Sequence, residues 1–598
     1  MTKGKKPSES YVGKSVRAKE ARAPLIGKAK YTNDYSFEGQ LYAYILRSPH
    51  AAAKINSVDL SGAKKISGVH LALCGRDVFE HTNGITDHLN PAIFGGKSTR
   101  LPIMAVDEAW CYGQPVAIVI AEDERTARYA ASRIQVDYTL KEPVVDAEKA
   151  IAKGARSVVP EWDDNVLIYV PFMNGDTQAA FDQADKIVTT DVKIHRFSSQ
   201  PMETRCYNAV WEHDTESITL YGTCQNPHPL RLVLAETLRM NENKIRIIAS
   251  TIGGAFGLKM HGHPEEPLIC LMTKLIRRPV KWVENREECL LIGAREQQHK
   301  VEMAFDSDGN MTGLRDHFLA NIGAPSACPG WGMAFLTGLT MPGPYKVENI
   351  DVHMNAVTTN KPSWNAARGY GKESTAIALE LAMDNAARQF GISPIDLRLK
   401  NFITKEQFPY PSPTGLVYDS GDYGGVLLKA LETIGYEDWK DKQKAALAEG
   451  RHIGIGMAFE LTPEGGTIPG TMVAGYDSSS VRVGPDGTVR VLTGITSPGT
   501  HNGTAIAQIV ADELGIDMDR IEVLQGDTNS SPYGFGNYSG RSTIVGGGSA
   551  ALAAKDVRDK INAVAAALLE VEIETLSLSE GIFSSSDNGD ATLTFAEV

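Results

Sequence analysis

Apolar positions along the chain fall into three blocks. Between Val16 and Val145, the runs Leu41–Leu46 and Val116–Ala121 have the length and aliphatic-aromatic make-up of buried strands. Glu122–Arg133 instead places alanines at helical spacing, and the polar, broken stretch Asp146–Asn165 reads as a linker. The second block runs from Val166 to Phe402. It has strand-like runs at Ile187–Ile194 and Lys244–Ala249, a helix that Ser374 is placed to cap and Gly391 to end, and another with Ser393 as cap and Pro394 in its first turn. After the proline- and glycine-rich stretch Pro409–Gly425, strands at Ser480–Val483 and Val489–Thr493 alternate with helices at Thr504–Leu514 and Ala550–Leu569. No period repeats along the chain. Leu593–Val598 reads as a strand entering a new helix, which suggests a truncated or split chain. Domains are therefore expected at 16–145, 166–405 and 430–598.

Composition narrows the class. A chain of 598 residues, 42% hydrophobic and 22% charged, belongs to a globular protein of several domains that needs no disulfides to hold its core. The net charge of −13 leaves nothing to neutralise a phosphate backbone, so no nucleic-acid partner is expected. Seven scattered cysteines (74, 111, 206, 224, 270, 289 and 328) form no C-x-x-C pair, which speaks against zinc ribbons and cysteine-bound iron–sulfur clusters and for a reducing, cytoplasmic location. Met1–Tyr11 is polar and lysine-rich without an apolar segment after it, so no leader and no membrane insertion are expected.

Three glycine-rich stretches carry candidate chemistry. Thr251–Lys259 follows a strand and contains Gly253, Gly254, Ala255, Phe256 and Gly257; paired glycines let backbone approach a bulky ligand, although a simple glycine turn reads the same. Asp527–Thr543 contains Gly536, Asn537, Tyr538, Ser539, Gly540, Arg541, Ser542 and Thr543 ahead of an alanine-rich helix. Hydroxyls, an arginine and a helix start suit phosphate oxygens; a flexible surface loop is the alternative. Pro362–Lys372 sets Arg368 among small residues beside Tyr370, an arginine for an anionic oxygen and an aromatic wall for a planar substrate, or an ordinary surface arginine.

Together with Tyr221–His228, which contains Gln225, these motifs come in the order and spacing of the molybdenum hydroxylases of the xanthine oxidase and aerobic carbon monoxide dehydrogenase type, whose large molybdopterin-binding subunit the chain resembles. Gly27–Tyr31, Arg47–Pro49, Gly68–Val69 and Gly113–Ala117 resemble that family's hammerhead domain, and Gln200–Glu203, Arg278–Val280 and Arg286–Glu288 its later segments. The resemblance implies an α+β fold: an N-terminal α/β-hammerhead domain followed by elongated, two-part molybdopterin-binding domains.

It also implies roles. Gln225 would hydrogen-bond a ligand of the molybdenum, Gly253–Gly257 would lie over metal and pterin, and Arg368 would face the metal's oxygen ligands, which makes Gln225 and Arg368 the catalytic pair. Gly536–Thr543 would hold the pterin and its pyrophosphate, expected as the cytosine dinucleotide. Thr500 and His501 would contact the pterin where relatives carry Gly-Gln-Gly, and Tyr370 and Met260 would line the substrate pocket. No side chain would ligate molybdenum directly, because the pterin dithiolene does. The reaction implied is hydroxylation of an electron-poor carbon with water as the oxygen source. Electrons would leave to [2Fe–2S] and FAD groups on a small and a medium partner subunit, in a dimer of heterotrimers.

Ala367 and Gly369 leave no copper-binding cysteine beside Arg368, and neither Met260 nor the arginine-free stretch between Arg315 and Arg368 matches xanthine-type substrate residues. N-heteroaromatic, ketone-containing or aldehyde substrates remain. The family's catalytic glutamate, in a Gly-x-Gly-Glu segment, has no counterpart here; Glu203 and Glu373 are the carboxylates nearest the motifs. The alternatives are an inactive scaffold lacking that glutamate and a reductive dehydroxylase of the 4-hydroxybenzoyl-CoA reductase type.

Overall fold

The computed structural model describes residues 10–85, 89–462, 464, 476–588 and 591–598; most of the lysine-rich N-terminal stretch lies outside them. Pro115–Ala121 is buried at every position, which is why its sequence is a continuous apolar run rather than an alternating one. It lies within a seven-stranded mixed sheet ordered Ile245–Ile248, Ser217–Gly222, Cys206–Glu212, Val280–Val283, Leu41–Arg47, Pro115–Ala121, Val69–Cys74. The parallel pairing of Leu41 with Val280 stitches the first sequence block to the second. Helices Pro227–Leu238 and Glu265–Ile276 bury their apolar faces against this sheet. Each ends on a left-handed residue, Arg239 and Arg277, that lets the chain turn back.

The five-stranded sheet of the second block is ordered Val166–Asn174, Asn349–Thr358, Met311–Gly323, Gln297–Phe305, Lys186–Ile194. Its inner face packs on helices Gly332–Thr340 and Lys372–Phe390, and Ile350, Val352, Met354 and Ala356 alternate inward along one strand. In the third block, Ser479–Val483, Val489–Thr493 and Ile521–Leu524 form a small sheet under helices Asn502–Leu514 and Gly547–Leu569. The two chain regions farthest apart in sequence also meet here. The backbone N–H of Tyr11 donates to Asp512 at 2.7 Å, and Glu20 accepts from the Thr504 backbone at 3.0 Å.

Local propensity misplaced three features. Ser374 does not cap its helix: the chain enters at Lys372 from a left-handed Gly371, and the Ser374 hydroxyl is buried. Glu373 reaches back to accept the Gly371 N–H at 2.8 Å, which is the work expected of a cap. Asp146–Asn165 is no free linker. Val158 and Val159 are buried, and the Asn165 amide bonds Val158, Ala150 and Arg156. The strand at the chain's far end is present as Thr592–Thr594; a turn, not a helix, follows it, closed by Glu597 accepting from the Thr594 backbone.

Candidate functional site

Gln225 follows the strand Ser217–Gly222 and precedes the helix Pro227–Leu238, and it is 3% exposed. Burying an amide is costly unless every polar atom finds a partner. Its Oε1 accepts from the Gly257 backbone at 3.0 Å, and its Nε2 donates to the Asn537 carbonyl at 2.8 Å. Its own carbonyl accepts from the Asn537 N–H at 2.9 Å and from the Thr496 hydroxyl at 2.6 Å. One residue therefore joins the glycine turn of the second block to two loops of the third, its side chain holding Gly257 and Asn537 and its backbone carbonyl Asn537 and Thr496.

The glycine turn lies against the arginine segment. Gly257 has φ +95°, and a Cβ there would come within 2.6 Å of the Ala366 carbonyl oxygen. Ala255 is buried and Met260 nearly so, whereas Phe256 is left-handed and 46% exposed at the rim. Behind the turn, the Gly253 N–H and Lys259 Nζ both donate to Glu203 Oε2, at 2.7 and 2.8 Å. Burial and then Glu203 act on Lys259 in opposite senses, and burial wins, lowering its pKa.

Arg368 is exposed, and among the described residues its guanidinium has no hydrogen-bond or ion-pair partner. Its backbone is held instead. Arg295 donates to the Arg368 carbonyl and pairs with Glu373 at 2.8 Å. Tyr370, at φ +53°, is fixed by its hydroxyl donating to the Pro329 carbonyl at 2.6 Å.

Gly536 has φ +76°, and a Cβ there would strike the Gln225 carbonyl. Asn537 is 7% exposed and donates to the Thr496 carbonyl and the Thr500 hydroxyl at 3.2 and 3.1 Å. Arg541, read from sequence as a phosphate ligand, is 2% exposed. It pairs with Asp477 at 2.5 Å, donates to the Gly536 carbonyl at 2.9 Å and lies 5.0 Å from the Tyr538 ring centroid. It closes the loop from inside. Burial lifts the Asp477 carboxyl to about 6 against the opposing pull of Arg541, and burial lifts the Tyr538 phenol to about 12.

The sequence-predicted residues divide accordingly. Gln225, Ala255, Met260, Asn537, Arg541 and Ser542 are buried, while Phe256, Arg368, Thr500, His501, Ser539, Gly540 and Thr543 are exposed around them. The buried group frames the site; the exposed group can meet a ligand. Ser542 adds a pointed observation: its hydroxyl is buried without a partner among the described residues, at the turn that leads into helix Gly547–Leu569. An anionic oxygen at that turn would satisfy it. The orphaned hydroxyl fits a cofactor bearing phosphate oxygens, while the glycines at 257 and 536 let the surrounding backbone segments close on one another.

Sequence reasoning missed several framing residues. Glu464 bonds the Ser539 hydroxyl, accepts from the Gly540 N–H at 2.8 Å and pairs with Lys372. Asp477, Thr496 and Arg295 were missed too. Lys372 ends the Pro362–Lys372 stretch and Thr496 lies just before Thr500, whereas Glu464, Asp477 and Arg295 lie in none of the candidate stretches, with no spacing to betray them. Glu203 and Glu373, the two nearby carboxylates, are committed to Lys259 and Arg295.

Comparison with known proteins identifies the family. Residues 26–142 match the a/b hammerhead domain of aldehyde oxidase and xanthine dehydrogenase, and residues 159–402 and 429–598 match two molybdopterin cofactor-binding domain models. The chain is 32% identical to the nicotine 6-hydroxylase large subunit of Paenarthrobacter nicotinovorans, over 99% of this chain and 73% of that one. It is 33% identical to the carbon monoxide dehydrogenase large chain of Afipia carboxidovorans, over 91% and 70%. The solved quinoline 2-oxidoreductase of Pseudomonas putida 86 superposes with a TM-score of 0.93 at 31% identity, over all of this chain and 76% of that one. The chain belongs to the molybdenum hydroxylases, a family of molybdenum-dependent oxidoreductases, as a large molybdopterin-binding subunit.

Proposed function

We propose that this chain is the catalytic subunit of an oxidoreductase that hydroxylates an electron-poor ring carbon of an N-heteroaromatic substrate, with water as the oxygen source; ketone-containing and aldehyde substrates are the other classes. The observation that carries the reading is Gln225, whose side-chain amide holds Gly257 and Asn537 and whose backbone carbonyl accepts from Thr496, together with Arg368, unpaired among the described residues. Relatives named for nicotine and quinoline support the substrate class.

The molybdenum cofactor, in our reading the cytosine dinucleotide, supplies two-electron oxidation when bound. Gly253–Gly257 and Gln225 would hold its metal end, and Gly536–Thr543 with Thr500 and His501 its pterin and pyrophosphate. Ser542 offers its free hydroxyl to a phosphate oxygen; Arg541 acts by keeping that loop closed. Arg368 offers its guanidinium donors to anionic oxygen from a backbone held by Arg295. Tyr370 forms a rigid wall for a planar ring, and Phe256 covers the rim against water. Glu203 and Glu373 are occupied by cations, so the proton-abstracting carboxylate is assigned outside them. Small [2Fe–2S] and medium FAD subunits, in a dimer of heterotrimers, would take the electrons. No helix among the described residues is long and apolar enough to cross a membrane, and we place the complex in the cytoplasm.

The test is to purify the complex, measure molybdenum and pterin dinucleotide, and assay dye-linked oxidation of N-heteroaromatic compounds. Stoichiometric metal with activity on such a ring is expected. A folded, metal-free complex without dye-linked oxidation overturns the reading.

A further inference from the structure

The outer face of the five-stranded sheet holds a cluster that the chemistry above does not use. Strands Met311–Gly323 and Asn349–Thr358 run parallel, with Arg315 in register with Asp351 and His317 with His353. Side chains alternate between faces along a strand, so these four share the outer face while Asp316 and Val352 point inward and are fully buried. His353 Nε2 lies 2.7 Å from Asp351 Oδ1, and His317 Nε2 lies 3.9 Å from Asp351 Oδ2. The two imidazoles pack edge to face, with centroids 4.4 Å apart.

We propose that His317, Asp351 and His353 form a site for a divalent transition-metal ion of the zinc type. Two imidazoles and one carboxylate make a donor set suited to zinc, with room left for water or an external ligand. A tetrahedral ion with bonds of about 2.0–2.1 Å spaces its ligand atoms by about 3.3 Å. The observed 2.7 and 3.9 Å bracket that value, and all three ligand atoms lie within 4.8 Å of one another. Side-chain adjustments of at most about 1.5 Å bring all three ligand atoms to that spacing.

The surroundings also favour a ligating histidine. The Tyr169 hydroxyl oxygen lies 2.5 Å from His353 Nδ1 and can accept its N–H, the tautomer that leaves the Nε2 lone pair directed at the cluster for a metal. Arg315 is the main competitor, at 3.2 Å from Asp351. It has other partners in place: Glu302 at 3.6 Å, Gln178 at 3.4 Å and the face of Phe181 at 4.4 Å. Lys300, in register with His317 on the next strand, is exposed and free to turn to solvent.

Calorimetric titration of zinc chloride into the chelator-dialysed complex tests the site. The expected result is a bound equivalent that the His317→Ala/His353→Ala double variant lacks. Arg315→Ala removes the competing cation and should tighten binding, whereas Tyr169→Phe should weaken it about 10-fold. Cobalt(II) absorption that disappears in the double variant gives an independent readout. Equal zinc stoichiometry in wild type and double variant, or Arg315→Ala binding no tighter than wild type, overturns the proposal.

Discussion

Arg368 and Arg541 occupy similar settings in the sequence, each among small residues and near a tyrosine and a glycine. In the fold they separate completely. Arg368 stands exposed on a backbone pinned by Arg295, while Arg541 is buried against Asp477 and the Gly536 carbonyl. The difference lies in what arrives from elsewhere in the chain: a carboxylate reaches Arg541, and among the described residues none reaches Arg368. One arginine keeps its charge for a ligand, and the other spends it on the shape of the loop that would receive one.

Substitution should expose that contrast most sharply at Arg541. Arg541→Ala leaves Asp477 buried without a cation, a change that typically costs about 3–5 kcal/mol, so a thermal melt should show a large loss. Arg368→Ala should shift stability by no more than about 0.5 kcal/mol, while dye-linked oxidation falls by about 10²-fold or more. Equal destabilisation by the two variants would abolish the distinction. Next come the glycines. Gly257→Ala and Gly536→Ala each set a Cβ on a left-handed backbone against a carbonyl oxygen, and each should cost about 2–4 kcal/mol. Molybdenum content of the purified complex should drop in both, since both deform the frame rather than the exposed rim.

How far this was legible follows from the same physics. The strand cores, the helix stop at Gly391 and the helix start capped by Ser393 are local matters, and they stand where periodicity and capping placed them. Gly257 and Gly536 were visible because a glycine with φ > 0 leaves a trace in the sequence. Asp477 was not, because it lies 64 positions before Arg541 and nothing in its neighbourhood marks it as buried. Ser374 was misread for a related reason: a serine at a plausible cap position outweighed the Gly371–Glu373 pair that does the capping. Local signals reveal where the backbone must bend; they do not reveal which charges will be neutralised.

Gln225→Ala tests the hub that holds both regions together. Removing the amide leaves the Gly257 N–H and the Asn537 carbonyl buried and unpaired, for an expected loss of about 1–3 kcal/mol. Cofactor content should fall with it, because the two loops no longer share an anchor. A variant of wild-type stability with a full molybdenum complement would move the centre of the site away from Gln225.

The smallest expected effect is a pH dependence confined to the buried arginine. Asp477 titrates near 6 in the folded protein because burial outweighs the attraction of Arg541, whereas an exposed aspartate titrates near 3.8. A carboxyl whose folded pKa is raised binds protons more readily folded than unfolded. Its contribution is therefore fully present below about pH 4 and is lost as pH rises through about 6. Because asparagine mimics the protonated carboxyl, the stability gap between wild type and Asp477→Asn should be smallest at the acidic end, grow in the variant's favour by about 1–2 kcal/mol between pH 4 and 6, and change little at higher pH. The gap between wild type and Arg368→Ala should not change over that window, since no carboxylate is paired with Arg368. If both gaps moved in parallel, the titration would belong to the protein as a whole, and the clamp at Arg541 would not be the buried pair described above.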